Sequence, residues 1–545
     1  MAEAGPTYTE LVLGGLALAS GRVALRSGEA ALTGRDCLDA VHRTARALER
    51  IGLGRGDGVT VLAGNRPEAL LVRLAANLLG CRVAMPYPDG TVAEQVALAE
   101  FAGTSALVFD PARCSAAAAG VARAVPGAVL LSLGPGPLGL GADLLELAAE
   151  CSPAPLEPRY RPEDVMAVRF TGGTTGRPKG VLRRFARPPR PPLLSGSTFL
   201  LCTPLCHGGG TTADLALAAG GTVVLQDGFD AGAVLAAVER YRVSRLYLPP
   251  HLLYRLLDHP LLPVTDTGSL RRIGYTGCPP SPRRLAEATR RLGRVLHQTY
   301  SLTECGPVAR LGPDEHLDPR LLSTAGRPYP DTEVRVVDEE GAPLPPGRTG
   351  EVLVRTPTAM VGYWRDPERT AQVLRDGWLH TGDLGSLDAA GYLTVAGRRD
   401  PMAIVEGHNV FPREVEETLR THPEVREAVA FTTTGPDRLE RVHAAVALAD
   451  GSRTTAEELR RWSRERGCAR CAPDTVLRLP VVPLNSLGKP DLRLLRALTD
   501  GGTRADGGTR ADTAASAENG ASAENGASAE DGARTGAAMG AREAV

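Results

Sequence analysis

Residues 58–80 read GVTVLAGNRPEALLVRLAANLLG. The stretch opens as a short β-branched apolar run and, after Asn65–Arg66–Pro67, continues as an Ala/Leu-rich segment with apolar residues at helical spacing. Two more units have the same form. SALVFD (105–110) leads into PARCSAAAAGVARAV (111–125), and GTVVLQD (221–227) leads towards DAGAVLAAVERYRV (230–243). Strand followed by amphipathic helix, repeated, predicts an α/β protein with mostly parallel sheets flanked by helical crossovers.

Around this pattern the chain divides. Residues 325–397 are punctuated by Gly and Pro and richer in β-formers, which predicts a β-rich subdomain at the end of the large domain. After GRRDP (397–401) comes a compact unit: AIVEGHNVF, PREVEETLRTH, EAVAFTTT, VHAAVAL and TAEELRRWSRERG. It predicts a small α+β domain. The expected boundaries are an N-terminal domain over 1–399, a C-terminal domain over 400–498 and a tail over 499–545. The tail is GGTRADGGTRAD followed by ASAENGASAENGASAEDG, hexads with almost nothing to bury, and is expected to be disordered.

Composition narrows the functional classes. The 545 residues are 43% hydrophobic, enough for large cores, and 62 basic against 63 acidic residues give a net charge of -1. That balance lacks the basic footprint of a nucleic-acid binder. The Arg-dense RRFARPPRPP (183–192) reads as a solvated loop. Ten scattered cysteines suit free thiols in a reducing compartment, so a cytoplasmic location is expected. CARC (468–471) is a lone CxxC without the second pair a structural zinc site needs. LVLGGLALASG (11–21) has acidic Glu3 and Glu10 before it and no basic residue, so an amphipathic surface helix is expected there, not a signal peptide. No run approaches the length of a membrane span.

The chain carries two lysines among 62 basic residues, at Lys179 and Lys489. Arginine is a planar fork, lysine a compact movable point charge, so these two positions ask for a point charge. Lys179 closes TGGTTGRPKG (171–180). Its glycines let a backbone curl round an anion and its threonines donate hydrogen bonds, which suits a phosphate cradle better than a plain surface turn. It is not a Walker A loop, because Arg177 and Pro178 separate Gly176 from Lys179. QTYSLTECGP (298–307) offers Tyr300 to stack on a base, Thr303 for a phosphate and Glu304 for Mg²⁺, all expected on one short turn. GWLHTGDLG (377–385) is expected to present Asp383 from a tight turn to a ribose. Together these motifs describe a nucleotide site assembled from separated loops.

With TPLCHGGG, YTGCPPSP, AGRPYP, GEVLVRTPTAMVGYWRDPERT, GYLTVAGRRD, EGHNVFPREVE and NSLGKPD, they make the chain resemble the adenylate-forming superfamily over residues 8–498. That superfamily comprises acyl- and aryl-CoA synthetases, peptide-synthetase adenylation domains and beetle luciferases. The resemblance implies the superfamily's fold, in which the small C-terminal domain is mobile, and a site residue by residue. The phosphate loop falls on Thr171, Gly172, Gly173, Thr174, Thr175, Gly176 and Lys179; the adenine-lining turn on Thr276, Gly277 and Cys278. Tyr300 stacks, Thr303 contacts phosphate, Glu304 holds the metal, and Asp383 with Arg398 holds ribose. Asp400 is the hinge, Lys489 the adenylation lysine, and His207 borders the acid and the thiol tunnel. The implied activity is ATP- and Mg²⁺-dependent activation of a small-molecule carboxylic acid followed by transfer to CoA, in a biosynthetic pathway.

Three other readings stand beside it: transfer to the phosphopantetheine of a separate carrier protein, activation of a small oxyacid such as nitrite, and a non-catalytic nucleotide-binding protein. Loss of Lys489 or Glu304 would mark the last, and both are present. Departures from the superfamily pattern are the short, Pro-rich interval of 27 residues between Lys179 and His207, Ser301 in place of a glycine, and Pro401 after the hinge. The acid and the oligomeric state stay open.

Overall fold

The computed structural model describes residues 5–136, 140–171, 179–186, 196–277, 280–398, 403–405, 408–410, 412–434, 440–466, 472–485 and 489–502. The opening stretch folds as read. Gly58–Leu62 is a strand buried at every position, and Pro67–Leu78 is a helix with proline in its first turn, where the missing N–H costs nothing.

That strand lies within a seven-stranded sheet. Its spatial order is Ala142–Asp143, Val129–Ser132, Ala106–Phe109, Gly58–Leu62, Arg82–Ala84, Val165–Thr171, Lys179–Arg184, parallel until the final antiparallel pair. A nine-stranded sheet follows. Six of its strands are parallel neighbours, in the order Leu296–Leu302, Arg272–Tyr275, Arg245–Tyr247, Thr198–Leu201, Thr222–Leu225, Val23–Ser27. One apolar core joins both sheets through the helices Gly34–Arg50, Pro67–Leu78 and Gly208–Ala218, drawing Val59, Val61 and Val108 together with Phe199, Leu201 and Val223. Parallel sheets are buried on both faces, which is why their strands are continuous apolar runs.

A polar tie crosses this core. Asp214, with 0% exposure, accepts from the Tyr8 hydroxyl at 2.7 Å and from Arg73 at 2.8 Å, linking three helices. The N-terminal helix Tyr8–Leu18 is accordingly not the expected surface amphipath. Its Gly15 lies so close to the Gly208–Ala218 helix that a Cβ would sit 2.1 Å from the Leu217 carbonyl oxygen, and Leu16 is fully buried.

The β-rich stretch is a five-stranded antiparallel sheet containing Glu333–Val337, Gly350–Arg355, Trp378–Leu387 and Leu393–Arg398. Beyond it, the small domain has the hairpin Ala403–Val405/His408–Val410 and the three-stranded sheet Val425–Thr434, Glu440–Leu448, Thr475–Leu479. Pro412–Arg420 and Ala456–Arg466 pack on one face of that sheet, and Leu492–Gly502 packs on the other through buried Leu495. The last helix thus runs past residue 498. Among the described residues, no helix is long and apolar enough to cross a membrane.

Candidate active site

The carboxyl ends of the parallel strands in the nine-stranded sheet converge on one edge, where open α/β sheets bind ligands. Thr198–Leu201 leads to His207, Arg245–Tyr247 to Leu248–Pro249, and Arg272–Tyr275 to Thr276 and Gly277. Leu296–Leu302 carries Tyr300 and Ser301, and Thr303 and Glu304 lie in the turn that follows. Tyr300 is therefore a strand residue, three positions before Thr303, and not on one turn with Thr303 and Glu304 as expected.

Asp383 and Arg398 are directly opposed in the antiparallel ladder of Trp378–Leu387 and Leu393–Arg398. Arg398 Nε donates to Asp383 Oδ1 at 3.0 Å, and the Tyr300 hydroxyl donates to Asp383 Oδ2. Burial pushes the Asp383 carboxyl up, opposed by Arg398 and by the Tyr300 hydroxyl. Burial and the neighbouring Asp383 push Tyr300 well above its ordinary value, so it stays a neutral donor. The expectation of a tight turn at Asp383 is corrected: the residue lies inside a ten-residue strand. Gly382, at φ 71°, takes a conformation in which side chains are strained, and the ladder shifts register nearby, so the strand bends without ending.

Glu304 is held by residues the sequence did not single out. The Tyr363 hydroxyl donates to Glu304 Oε1 at 2.9 Å, and the Met360 N–H donates to the Glu304 carbonyl oxygen at 2.7 Å. Arg183 donates to the carbonyl oxygens of Thr303 and Thr358. This corrects the reading of RRFARPPRPP as solvated at its start: Arg183 belongs to a strand and satisfies two turn carbonyls, while Phe185 is fully buried and stacks on Tyr160 at 3.9 Å. The signal for Tyr363 was present in VGYW, a glycine-led aromatic pair within a motif already noted.

Lys179 is the first residue of the Lys179–Arg184 strand, paired with Thr171, so it sits at the hairpin's root and not on the loop itself. Gly172, Gly173, Thr174, Thr175, Gly176, Cys278 and Asp400 lie outside the described residues, as do CARC and the tail. The hydroxyls of Thr276 and Ser301 are 3.1 Å apart, which shows what the serine adds: a hydrogen-bonded pair facing the edge.

His207 precedes the Gly208–Ala218 helix, is half-buried, stacks on Tyr87 with centroids 5.9 Å apart, and its buried Nε2 makes no hydrogen bond with any described residue. Burial, then the charges of Lys489 and Arg169, lower its pKa to about 4. Lys489 of the small domain thus lies within electrostatic reach of His207. Its backbone is held by Asn485, whose Oδ1 accepts from the Lys489 N–H at 3.1 Å and whose own N–H donates to the Lys489 carbonyl oxygen at 2.6 Å.

Among the described residues, no group of three or more His, Cys, Asp or Glu side chains could cage a metal. Glu304 nevertheless fits Mg²⁺ as a single carboxylate ligand, since Mg²⁺ in nucleotide sites takes one or two carboxylates plus substrate phosphates. Tyr363 occupies only its Oε1.

The model for the AMP-binding enzyme family matches residues 17–364, and that for the AMP-binding enzyme C-terminal domain matches 414–489. A medium/long-chain-fatty-acid–CoA ligase of Mycobacterium tuberculosis is 33% identical, covering 92% of each chain. A feruloyl-CoA synthase of Amycolatopsis sp is 33% identical over 86% of this chain and 94% of its own. The solved structure of the amide bond synthetase McbA from Marinactinospora thermotolerans superposes with a TM-score of 0.81 at 39% identity, over 90% of this chain and 99% of that one. The chain therefore belongs to the AMP-binding enzyme family of the adenylate-forming superfamily, as an AMP-forming ligase related to the acyl-CoA synthetases.

Proposed function

We propose that the chain condenses a carboxylic acid with ATP to give an acyl adenylate and then transfers the acyl group to the thiol of CoA. The observation that carries this reading is the hydrogen-bonded set of Tyr300, Asp383 and Arg398, with Glu304 on the turn that follows the Tyr300 strand. Tyr300 stacks on adenine, lined by Thr276, Gly277 and Cys278, and Asp383 takes the ribose hydroxyls while Arg398 holds its carboxylate in place. The Thr171–Lys179 loop, with Gly172, Gly173, Thr174, Thr175 and Gly176, and Thr303 hold the phosphates. Glu304 would hold Mg²⁺, which when bound offsets charge on the triphosphate.

A carboxylate oxygen of the acid attacks the α-phosphorus, the bond to the bridging oxygen breaks, and pyrophosphate leaves. Lys489 supplies the point charge between the two converging anions. The small domain then turns about Asp400, the thiol attacks the anhydride carbonyl, and AMP departs. Neutral His207 borders the acid without adding a cation that would compete with Lys489 for its carboxylate.

A second reading has one observation in its favour. The amide bond synthetase is 39% identical, against 33% for the two CoA ligases, which favours an amine as the acceptor. Acid-dependent pyrophosphate release, followed by mass analysis of products with CoA, with amines, with a phosphopantetheinylated carrier protein or with none, tests both. Acyl-CoA formation is the expected result, and amide formation without CoA would establish the second reading. Nitrite is included among the acids. No pyrophosphate release with any acid would sink the assignment.

A further inference from the structure

Below the site, one face of the nine-stranded sheet carries cations where apolar side chains would be expected. Alternate strand residues share a face. Descending from Thr276 they are Gly274 and Arg272; from Ser301, Thr299 and His297; from Tyr247, Arg245. Register places Arg245 beside Arg272 and Thr299 opposite Arg310. Arg272 lies 3.2 Å from His297 Nδ1, and Arg310 lies over the Tyr329 ring at 5.4 Å.

Arg245 is only 8% exposed and makes no hydrogen bond or ion pair with any described residue. The charged group acting on Arg245 is Arg272, and those acting on Arg272 are Tyr329 and Arg310; no carboxylate is among them. Burial, then Arg272 and its neighbours, lowers His297 to about 3, so the histidine does not add a third buried charge. Arginine cannot shed its proton, and a buried cation without a counter-ion is costly, so this arrangement calls for an anion from outside the chain.

Gly274 connects the cluster to the site. A Cβ there would meet nothing nearer than 3.8 Å, the Leu246 carbonyl oxygen and Tyr247 Cδ2, and its φ is not left-handed. The backbone does not require glycine at 274; a Cβ there would already stand in ordinary contact with Leu246 and Tyr247, so a larger side chain would crowd the strip between Thr276 and Arg272. Those two residues are four positions apart, about 13 Å along the strand.

We infer that Arg245, Arg272 and His297 form the far wall of the acid pocket and bind a second carboxylate, so that the acid activated is a dicarboxylic acid. This rests on the acid-activation reading above. One carboxylate meets ATP near Lys489, and the other is taken by the two guanidiniums, which match carboxylate geometry as lysine would not.

The test compares acids in matched pairs, one ending in a carboxylate and the other in a methyl group at equal length, alkyl and aryl, by acid-dependent pyrophosphate release with the full chain. The carboxylate member should be preferred by at least about a hundredfold in kcat/KM, since a site built for hydrogen bonds rejects the analogue lacking them. Arg272→Met should reverse the preference, with the diacid falling and the methyl acid rising, and Arg272→Lys should restore part of it. Should Arg272→Met fail to bind AMP, and so not be folded, Arg310→Met at the exposed end of the cluster should show the same change more weakly. Equal use of both acids by the unaltered chain, or an unchanged ratio in the folded variants, overturns the inference. Pyrophosphate release with monoacids alone would sink this inference and leave adenylation standing; release with no acid would sink adenylation itself.

Discussion

Lys489 belongs to the small domain and His207 to the large one, yet the lysine's charge helps hold the histidine neutral, second only to burial. The charge of a lysine in the small domain is therefore felt at the start of the Gly208–Ala218 helix of the large one. A single point charge contributed by a separate domain is a part that rotation can withdraw. Asn485 holds the Lys489 backbone through both its N–H and its carbonyl oxygen.

Lys489→Ala should therefore abolish acid-dependent pyrophosphate exchange while supplied acyl adenylate and CoA still give thioester at a near-normal rate. Lys489→Arg should fail almost as badly in the first step, because a forked cation does not fit where two oxygens converge. Equal loss of both half-reactions in a folded Lys489→Ala protein would rule out domain alternation here.

Glu304→Gln keeps the side chain's shape and its acceptor for the Tyr363 hydroxyl, but removes the charge that would hold Mg²⁺. The melting temperature should stay within the range of an ordinary surface change, and adenylation should fall by at least about a hundredfold. Tyr363→Phe should have a smaller effect, raising the Mg²⁺ concentration needed for half-maximal rate. If magnesium titrations of the two variants match that of the unaltered chain, Glu304 is not the ligand.

What the sequence disclosed and what it hid divide by range. The Gly58–Leu62 strand and Pro67–Leu78 helix were legible because their signals are local: a buried apolar run, then proline in a first helical turn. Asp383 was singled out from GWLHTGDLG and Arg398 through the family resemblance, but their pairing depends on antiparallel register between residues 15 apart. Tyr363 reaches Glu304 across 59 residues, and Arg183 reaches Thr303 across 120, so neither could be read from spacing. Arg245, Arg272 and His297 each look like a stray charge in a strand. Only strand order and register gather them onto one face.

Acid should destabilise the protein through half-buried histidines. His207 and His251 are lowered to about 4 and His297 to about 3, in each case chiefly by burial. The unfolded chain takes up these protons near pH 6.5, whereas the folded chain does so only near 3 to 4, so between those limits the unfolded state binds more protons. Stability is complete above pH 6.5 and is lost as pH falls through that window. For His251 the full effect is on the order of 3 kcal/mol. Melting curves from pH 8 to 4 should be flat at first and then descend, and His251→Gln should descend less steeply. Parallel descents would show that His251 does not contribute.

The Arg73–Asp214 pair predicts a large effect away from the chemistry. Asp214 is fully buried and is the shared acceptor for Tyr8 and Arg73. Asp214→Asn preserves its size but leaves the Arg73 guanidinium buried without a counter-charge, which typically costs about 3–5 kcal/mol. Denaturant unfolding followed by a probe of the large domain should register a loss of that size. Replacing all three polar partners together, as Tyr8→Phe with Arg73→Met and Asp214→Leu, should cost far less, because no buried charge then lacks a partner. Since the Gly208–Ala218 helix carrying Asp214 begins next to His207, the single variant should also raise the KM for the acid more than that for ATP. A stable Asp214→Asn protein would show that the tie does not support the core, and equal changes in both KM values that it does not position His207.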